Sequence, residues 1–235
     1  MNKCHSFRIL IIIAFLLLVT NASALNVKIS QNLTSFNFDY NGQIIKIGRI
    51  QDQSNHLTGG FAKTSRKCPP FCIQPFIVAQ GVNTVGELEL IDFLKSKVTR
   101  KKGVLIDART ASWHAKGTIP GSINIPFTVF SKKTSSRKML NAMKQIGVKR
   151  RDDSAEGSST WTEFKIMLGL EQENNSYWDF KNAKEIMLWC NGMWCGQSPR
   201  AIKGLLKQGY PPEKIHYYRG GMQAWKILGL TVVIP

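Results

Sequence analysis

Alternating apolar and polar residues near the start of the chain predict a β-hairpin. Phe36, Phe38 and Tyr40 occupy every second position, as expected for a strand with one buried face. Asn41-Gly42 follows, and this dipeptide favours the two-residue turns that join antiparallel strands. The pattern therefore predicts β structure over residues 27–50.

From Gly81 onward, short apolar runs alternate with stretches of helical spacing. Thr84 and Glu87 have the spacing of a capping box, which predicts the start of a helix. Alternating strands and helices predict an α/β fold, a parallel sheet with helices on both faces. The predicted strands are GVLID, GSINIPF, KIHYY and TVVI, and the predicted helices include PRAIKGLLKQ and MQAWKILG.

A helical insertion interrupts this alternation over about residues 128–184. Met139 and Met143 lie at helical spacing, and Gly147 is a typical helix stop. A second helix is predicted over residues 161–168, after a polar stretch.

The first 24 residues have the composition of a signal peptide. A basic start precedes the apolar run ILIIIAFLLLV, and Ala22-Ser23-Ala24 is a small-residue cleavage signal. Cleavage after about Ala24 predicts a periplasmic or secreted protein without a stable membrane span, and an uncleaved anchor is the alternative. Residues 25–80 then form an N-terminal β appendage with a Cys/Pro-rich loop, and residues 81–235 form the main domain.

The chain is strongly basic, with 32 Lys and Arg against 15 Asp and Glu and a formal net charge of +17. The basic residues are spread in short clusters and follow no nucleic-acid-binding motif. Together with export, this argues against a nucleic-acid partner. The remaining role for the charge is attraction of small anions or of an anionic membrane surface.

Cys68 and Cys72 enclose Pro-Pro-Phe in the loop of the appendage. This spacing is compatible with a local disulfide, with half of a metal site, or with a pair that exchanges with an active site. No further ligands at zinc-binding spacing are found nearby, so neither a metal nor a cofactor is predicted. Since the segment CPPFCIQPF is rich in apolar residues, we expect it to pack near the first helix of the main domain, with its two cysteines bonded.

The segment after the apolar run EIMLW has the features of a site for a reactive thiolate. Cys190 ends the run, and Ser198-Pro199 predicts a helix with Ser198 as its N-cap. The positive end of that helix and the amide groups of the loop would lower the pKa of a nearby cysteine. Because ligands of parallel sheets bind beyond the carboxyl ends of the strands, Asp107 and Cys190 are expected at the functional edge.

These residues resemble a known family. VLIDARTASWHAKGTIPGSINIPF, the strand ending in cysteine and GYPPEKIHYYRGGMQAW are together similar to the rhodanese-like domain, over about residues 81–235 apart from the insertion. The resemblance implies a sulfurtransferase, in which a cysteine takes sulfane sulfur from a donor such as thiosulfate and passes it on from a persulfide. It also implies a small anionic sulfur donor and a thiol or protein acceptor as partners.

The resemblance leaves two cysteines as candidates for the nucleophile. Loops of the family commonly read C-x-x-x-x-R, whereas the fifth residue after Cys190 is Cys195, and Arg200 stands five residues after Cys195. Cys190 is favoured because it ends the strand. Asp107 and Arg109 match positions that support the catalytic loop. Substrate binding is expected from the loop and the first helical turn, at Asn191, Gly192, Met193, Trp194, Gly196, Gln197 and Arg200.

Two other functions remain open for the same residues. Cys190 and Cys195 are also suited to a thiol–disulfide redox protein. Alternatively, they form a structural disulfide in a non-catalytic binding module of the same fold. Formation of a persulfide distinguishes the sulfurtransferase from both.

Overall fold

The computed structural model describes residues 26–151 and 177–235. The predicted leader and the predicted helix over residues 161–168 lie outside these ranges. Within them, no helix combines the length and the apolar character needed to cross a membrane.

The described chain begins with an antiparallel hairpin, β1 (Ser35–Tyr40) and β2 (Gln43–Gly48). Asn41 and Gly42 form the turn, both with positive φ, which confirms the predicted hairpin. The other strands, in chain order, are β3 (Asn83–Val85), β4 (Gly103–Asp107), β5 (Ser122–Asn124), β6 (Lys149–Arg150), β7 (Trp178–Asp179), β8 (Glu185–Trp189) and β9 (Ile215–Tyr218).

Five of these strands form the central parallel sheet, in the order β3-β9-β8-β4-β5. The strands β6 and β7 pair with each other in the insertion. The helices are α1 (Glu87–Phe93), α2 (Ala111–His114), α3 (Arg137–Gln145), α4 (Gln197–Lys207) and α5 (Gly221–Ile227). A π-helical turn over Leu94–Val98 extends α1.

Side chains of the central strands alternate between two buried cores. In β8, Ile186 and Leu188 join the core beneath α3 and α4, whereas Met187 and Trp189 join the core beneath α1 and α5. Both faces of the sheet are therefore covered, as the α/β pattern predicted. This covering leaves the strand ends as the place for polar chemistry.

The hairpin belongs to the second of these cores. Phe38 and Ile47 are buried in it among residues of α1 and α5. Directly after β2, the Ile50 amide donates to the Gly229 carbonyl over 2.7 Å. The N-terminal appendage thus shares its core with the main domain.

Two local predictions were wrong. The N-cap of α1 is Gly86, whose amide donates to the Glu89 carboxylate, so the capping interaction lies two residues beyond the Thr84–Glu87 pair. Thr84 instead lies in β3, and its hydroxyl donates to the Phe76 carbonyl. The TVVI segment forms no full strand, since only a single bridge joins Val233 to Thr118.

The packing of the hairpin predicts different effects for two isoleucines of β2. Ile47 is 0% exposed and Ile44 is 69% exposed, on opposite faces of the same strand. Ile47→Ala should lower the free energy of unfolding by about 2–5 kcal/mol in urea denaturation, because it opens a cavity in the shared core. Ile44→Ala is the matched control and should change it by less than about 0.5 kcal/mol. Equal effects of the two substitutions would show that the hairpin does not share the core.

Candidate active site

Cys190 and Asp107 lie side by side at the carboxyl edge of the sheet. Asp107 ends β4 and is in register with Trp189, the last residue of β8. Cys190 follows directly, and the Ala108 amide donates to the Trp189 carbonyl over 3.0 Å. This is the edge at which the sequence places the functional residues.

The first turn of α5 fixes the start of the loop that follows Cys190. The Met222 amide donates to the Cys190 carbonyl over 2.9 Å, and the Gln223 amide donates to the Asn191 carbonyl over 3.0 Å. Gly221 has φ +57°, and a Cβ on it would stand 2.3 Å from the Cys190 carbonyl oxygen. The second glycine of the GG-x-x-AW motif is therefore required for α5 to approach this loop.

Several hydrogen-bond donors surround the sulfur of Cys190, which is 1% exposed. As a thiol, it donates to the Cys195 carbonyl over 3.1 Å. The Ser198 hydroxyl is buried and makes no other hydrogen bond among the described residues. The thiolate form of Cys190 is stabilised by hydrogen bonds from the Cys195 thiol, from the hydroxyl and amide of Ser198, and from the Gly192 amide. The pocket is thus arranged to stabilise a negative sulfur.

These contacts give the two cysteines opposite acidities. Burial by itself raises the pKa of Cys190, but the hydrogen bonds from Cys195, Ser198 and Gly192 outweigh it and lower the pKa to about 7. The pKa of Cys195 is raised, because its thiol donates to the Cys190 sulfur and is buried beside that charge. Cys190 is therefore the thiolate of the pair, and Cys195 keeps its proton.

The helix α4 begins one residue before Ser198, so the prediction of Ser198 as its N-cap was wrong. The first helical hydrogen bond runs from the Arg200 amide to the Gly196 carbonyl over 3.1 Å, which makes Gly196 the N-cap. Ser198 lies inside the first turn, where its amide and hydroxyl face Cys190. The positive end of the α4 dipole adds to their effect on the thiolate.

The other predicted loop residues divide into two groups. Asn191 and Gln197 lie against Cys195, with the Asn191 Nδ2 4.0 Å from its sulfur and the Gln197 Oε1 3.7 Å from it. Met193 and Arg200 are exposed, and the Arg200 guanidinium lies 5.6 Å from the centroid of the Phe127 ring. The structure therefore brings the first group to the sulfurs and leaves the second at the surface.

A segment of the appendage, residues 66–76, covers this loop; we call it the cap. The Gln74 amide donates to the Met193 carbonyl over 2.8 Å. The rings of Phe71 and Trp194 pack edge to face, 5.5 Å between centroids, and the Arg66 guanidinium lies 3.9 Å from the Trp194 centroid. Trp194 is thus half-buried between the cap and the loop.

The cap contains the second pair of cysteines. The Cα atoms of Cys68 and Cys72 are 4.6 Å apart, at disulfide distance. The Cys72 carbonyl accepts from the Gln74 side chain over 2.8 Å, and this amide borders Gly196. The last residue of the cap, Phe76, accepts a hydrogen bond through its carbonyl from the Thr84 hydroxyl, just before α1. The segment CPPFCIQPF was predicted to pack near the first helix, and its C-terminal end does so.

Asp107 and Arg109 form a buried ion pair beneath the strand that carries Cys190. Arg109 donates to both carboxylate oxygens of Asp107, over 2.8 and 2.6 Å. Its guanidinium also lies 4.6 Å from the centroid of Trp189. Burial opposes ionisation of Asp107, but hydrogen bonds from Arg109 and His114 and the Arg109 charge lower its pKa. The pair supports the end of β8, and support of the loop itself stays a prediction.

Two further side chains contact the Asp107 carboxylate. The ring of His114 lies 3.0 Å from its Oδ2, and the Thr118 hydroxyl donates to the same oxygen over 3.1 Å. The His114 side chain is mostly buried against this carboxylate. Thr118 is buried as well.

Sequence reasoning missed several residues of the site. Gln74 and Arg66 belong to no motif and lie far from the loop in the sequence. They reach the loop because the appendage folds back over it. The Tyr217 hydroxyl is buried without a hydrogen-bond partner among the described residues, and burial together with the Cys190 charge raises its pKa. Its place in the predicted strand KIHYY, beside the strand that ends at Cys190, was the signal that could have found it.

Comparison with known proteins identifies the family. A family model, the rhodanese-like domain, matches residues 90–228. The chain belongs to the rhodanese-like domain family. No curated protein matches it.

Solved structures that are similar to this rhodanese-like protein include the following three. A human single-domain sulfurtransferase is 18% identical, with 62% of this chain and 96% of that chain covered and a TM-score of 0.35. A rhodanese-related protein from Thermoplasma volcanium is 17% identical, with coverages of 65% and 99% and a TM-score of 0.33. A thiosulfate sulfurtransferase from Pseudomonas aeruginosa is 16% identical, with coverages of 65% and 20% and a TM-score of 0.36.

Among residues 26–151 and 177–235, no three His, Cys, Asp or Glu side chains cluster as metal ligands do. The site of this rhodanese-like protein contains two free thiols and the hydrogen-bond donors around Cys190.

The donors around Cys190 predict how its ionisation responds to substitution. Ultraviolet absorbance of the thiolate, taken as the difference from Cys190→Ser, should rise with a midpoint near pH 7. Ser198→Ala should move the midpoint up by about one pH unit, since it removes a hydrogen bond to the charged sulfur. Ser131→Ala, at an exposed serine, is the matched control. If Cys190 ionised with the pKa of an ordinary cysteine in both Ser198→Ala and Ser131→Ala, the result would contradict this description of the site.

Proposed function

We propose that this protein is an exported sulfurtransferase that carries sulfane sulfur as a persulfide on Cys190. The observation that supports it best is the set of donors around the Cys190 sulfur at the end of β8. These donors favour an anionic sulfur, and a persulfide is anionic at its outer atom. Membership of the rhodanese-like family agrees with this chemistry. Export follows from the leader predicted over residues 1–24.

With thiosulfate as donor, the reaction is a displacement at sulfur. The Cys190 thiolate attacks the outer sulfur of thiosulfate, the bond between the two sulfurs of the donor breaks, and sulfite leaves with the electron pair. The negative charge moves to the outer sulfur of the new persulfide. A thiol acceptor then takes this sulfur, and Cys190 returns to its thiolate.

Cationic side chains beside the loop suit a small anionic donor. Arg219 donates to the Gln74 carbonyl through Nε and Nη2, over 3.2 and 2.8 Å, and is held close to the loop by the cap. Arg66 stacks on Trp194 at the outer side of the same loop. Arg200 is exposed on the first turn of α4, where its guanidinium lies over the Phe127 ring and adds positive charge to the same end of the helix. These charges complement the strong positive charge of the whole chain.

One alternative function is favoured by a specific observation. Cys190 and Cys195 are both free thiols buried in the same loop, as a thiol–disulfide redox protein requires. The two functions differ in whether a sulfane sulfur is ever bound to Cys190. A binding module with structural cysteines has no need of the lowered pKa of Cys190.

Substitution of each cysteine should separate their roles in sulfur uptake. Under anaerobic conditions, the reduced protein mixed with thiosulfate should release about one sulfite per chain. Cys190→Ser should abolish this release, since it removes the nucleophile, and the matched variant Cys195→Ser should retain most of it. Sulfite assay and intact mass spectrometry measure the outcome, with a gain of about 32 Da for a persulfide on Cys195→Ser.

The opposite pattern, with an active Cys190→Ser variant, would transfer the nucleophile to Cys195. Absence of sulfur uptake from both thiosulfate and a persulfide donor would reject the sulfurtransferase and favour the binding module, unless a Cys190–Cys195 disulfide forms and points to the redox protein.

A further inference from the structure

The catalytic loop folds back on itself, so that Cys195 returns to the sulfur of Cys190. The Cys195 amide donates to the Gly192 carbonyl over 2.9 Å and closes a tight turn. The Cys195 carbonyl lies 3.1 Å from the Cys190 sulfur, and in the thiolate state the Cys195 thiol is its hydrogen-bond donor. The two thiols thus share one buried space, with exposures of 1% and 5%.

Access for any thiol from solution is narrow by comparison. Gln74 is bonded to the outer side of the loop through the Met193 carbonyl. Trp194 is fixed by Phe71, by Arg66 and by a hydrogen bond of 2.6 Å from its ring to the Gln223 side chain. An external acceptor has to displace or pass these groups, whereas Cys195 is already beside the reacting sulfur. A reacting group held in place has a large advantage in effective concentration over one that must diffuse in.

We infer that Cys195 is a second catalytic residue, which resolves the Cys190 persulfide and releases its outer sulfur as sulfide. The inference rests on the proposed function. The sulfur of Cys195 attacks the sulfur of Cys190, and a disulfide forms between them. The bond between Cys190 and the sulfane sulfur breaks, and the electron pair leaves with that sulfur. The two cysteine sulfurs are oxidised together by two electrons, and the sulfane sulfur is reduced to sulfide.

The proton in this step comes from Cys195 itself. In the resting pair Cys195 holds its proton beside the Cys190 thiolate. In the persulfide the negative charge lies on the outer sulfur, so the Cys195 proton passes to that sulfur as the Cys195 sulfur attacks, and the outer sulfur leaves as HS⁻. Asn191 Nδ2 and Gln197 Oε1 flank the Cys195 sulfur at 4.0 and 3.7 Å and orient it in the loop. The step therefore needs no added base and no added oxidant, because the persulfide is the oxidant.

The resulting disulfide has to be reduced before a second turnover. An external dithiol supplies the two electrons by thiol–disulfide exchange. Cys68 and Cys72 already lie at disulfide distance, and in the bonded state they hold no electrons to give. By this route the sulfane sulfur taken up by Cys190 leaves as sulfide at the expense of a dithiol, as a second outcome beside its transfer to a thiol acceptor.

A single-turnover experiment on the full mature chain tests this inference. Reduced protein, freed of reductant and kept anaerobic, is mixed with one equivalent of thiosulfate, and both sulfite and sulfide are measured. Both cysteines of the loop lie in one tryptic peptide, residues 185–200, and Cys68 and Cys72 lie in another. Peptide masses therefore identify the sulfur state of each pair separately.

The wild-type protein should release sulfite and then about one sulfide per chain, and peptide 185–200 should lose about 2 Da as a disulfide forms. In a separate sample with excess thiosulfate, sulfide release should stop after one turnover and resume when dithiothreitol is added, because the disulfide must be reduced before the next thiosulfate can react. Cys195→Ser should still release sulfite but less than one tenth of the wild-type sulfide, and its peptide should keep the added sulfur. A sample without thiosulfate should keep both thiols, which controls for oxidation by air.

Three results would overturn the inference. A stable persulfide on the wild-type protein, with sulfite but no sulfide released, would show that Cys195 does not resolve it. Equal sulfide release from Cys195→Ser would lead to the same conclusion. Loss of sulfide release in a Cys68→Ser/Cys72→Ser variant that still releases sulfite would assign the resolving role to the cap pair. Absence of sulfite from every variant would instead reject the proposed function itself.

Discussion

Two backbone hydrogen bonds, from the first turn of α5 to the carbonyls of Cys190 and Asn191, determine where the reactive sulfur lies. A strand end is free to continue in many directions, and these bonds select one of them. They require the close approach that Gly221 permits. With the carbonyls held by α5, the loop turns back toward α4, and its amides and the Ser198 hydroxyl converge on the sulfur. The acidity of Cys190 thus depends on α5, which begins about thirty residues after it in the chain.

The same loop gives two chemically identical side chains different states. Each cysteine is buried, and burial alone would keep both protonated. Hydrogen-bond direction decides between them, because Cys190 receives donors and Cys195 is one of those donors. A negative sulfur next to a protonated one is the arrangement that both nucleophilic attack and its resolution need. This asymmetry cannot be read from the spacing of the two cysteines.

The sequence is informative where structure is decided locally and by burial. GVLID and KIHYY lie in the parallel sheet because short apolar runs bury both faces, and Cys190 lies at a strand end for the same reason. The first turns of helices were less predictable, since Gly86 and Gly196 occupy the caps where Thr84 and Ser198 were expected. A serine near the start of a helix can cap the helix or donate a hydrogen bond to a neighbouring group. Ser198 does the second, because tertiary packing places it against the Cys190 sulfur.

Contacts between distant parts of the chain account for what the sequence did not reveal. Trp194 belongs to the loop after Cys190, and Phe71 and Arg66 cover it from more than a hundred residues away. Even over a short distance, the hydrogen bond between His114 and Asp107 depends on how the segment between β4 and α2 turns. No periodicity records such pairings. They depend on which loops meet when the whole sheet is assembled.

The position of the cap shows that the range matched by a family model need not include all of the contacts around a site. The family match begins at residue 90, after the cap and after the edge strand β3. A fragment cut at that boundary would lack Gln74, whose amide is bonded to the loop after Cys190, and the outermost strand beside β9. A fragment that keeps the loop covered therefore has to extend back through the proline-rich segment.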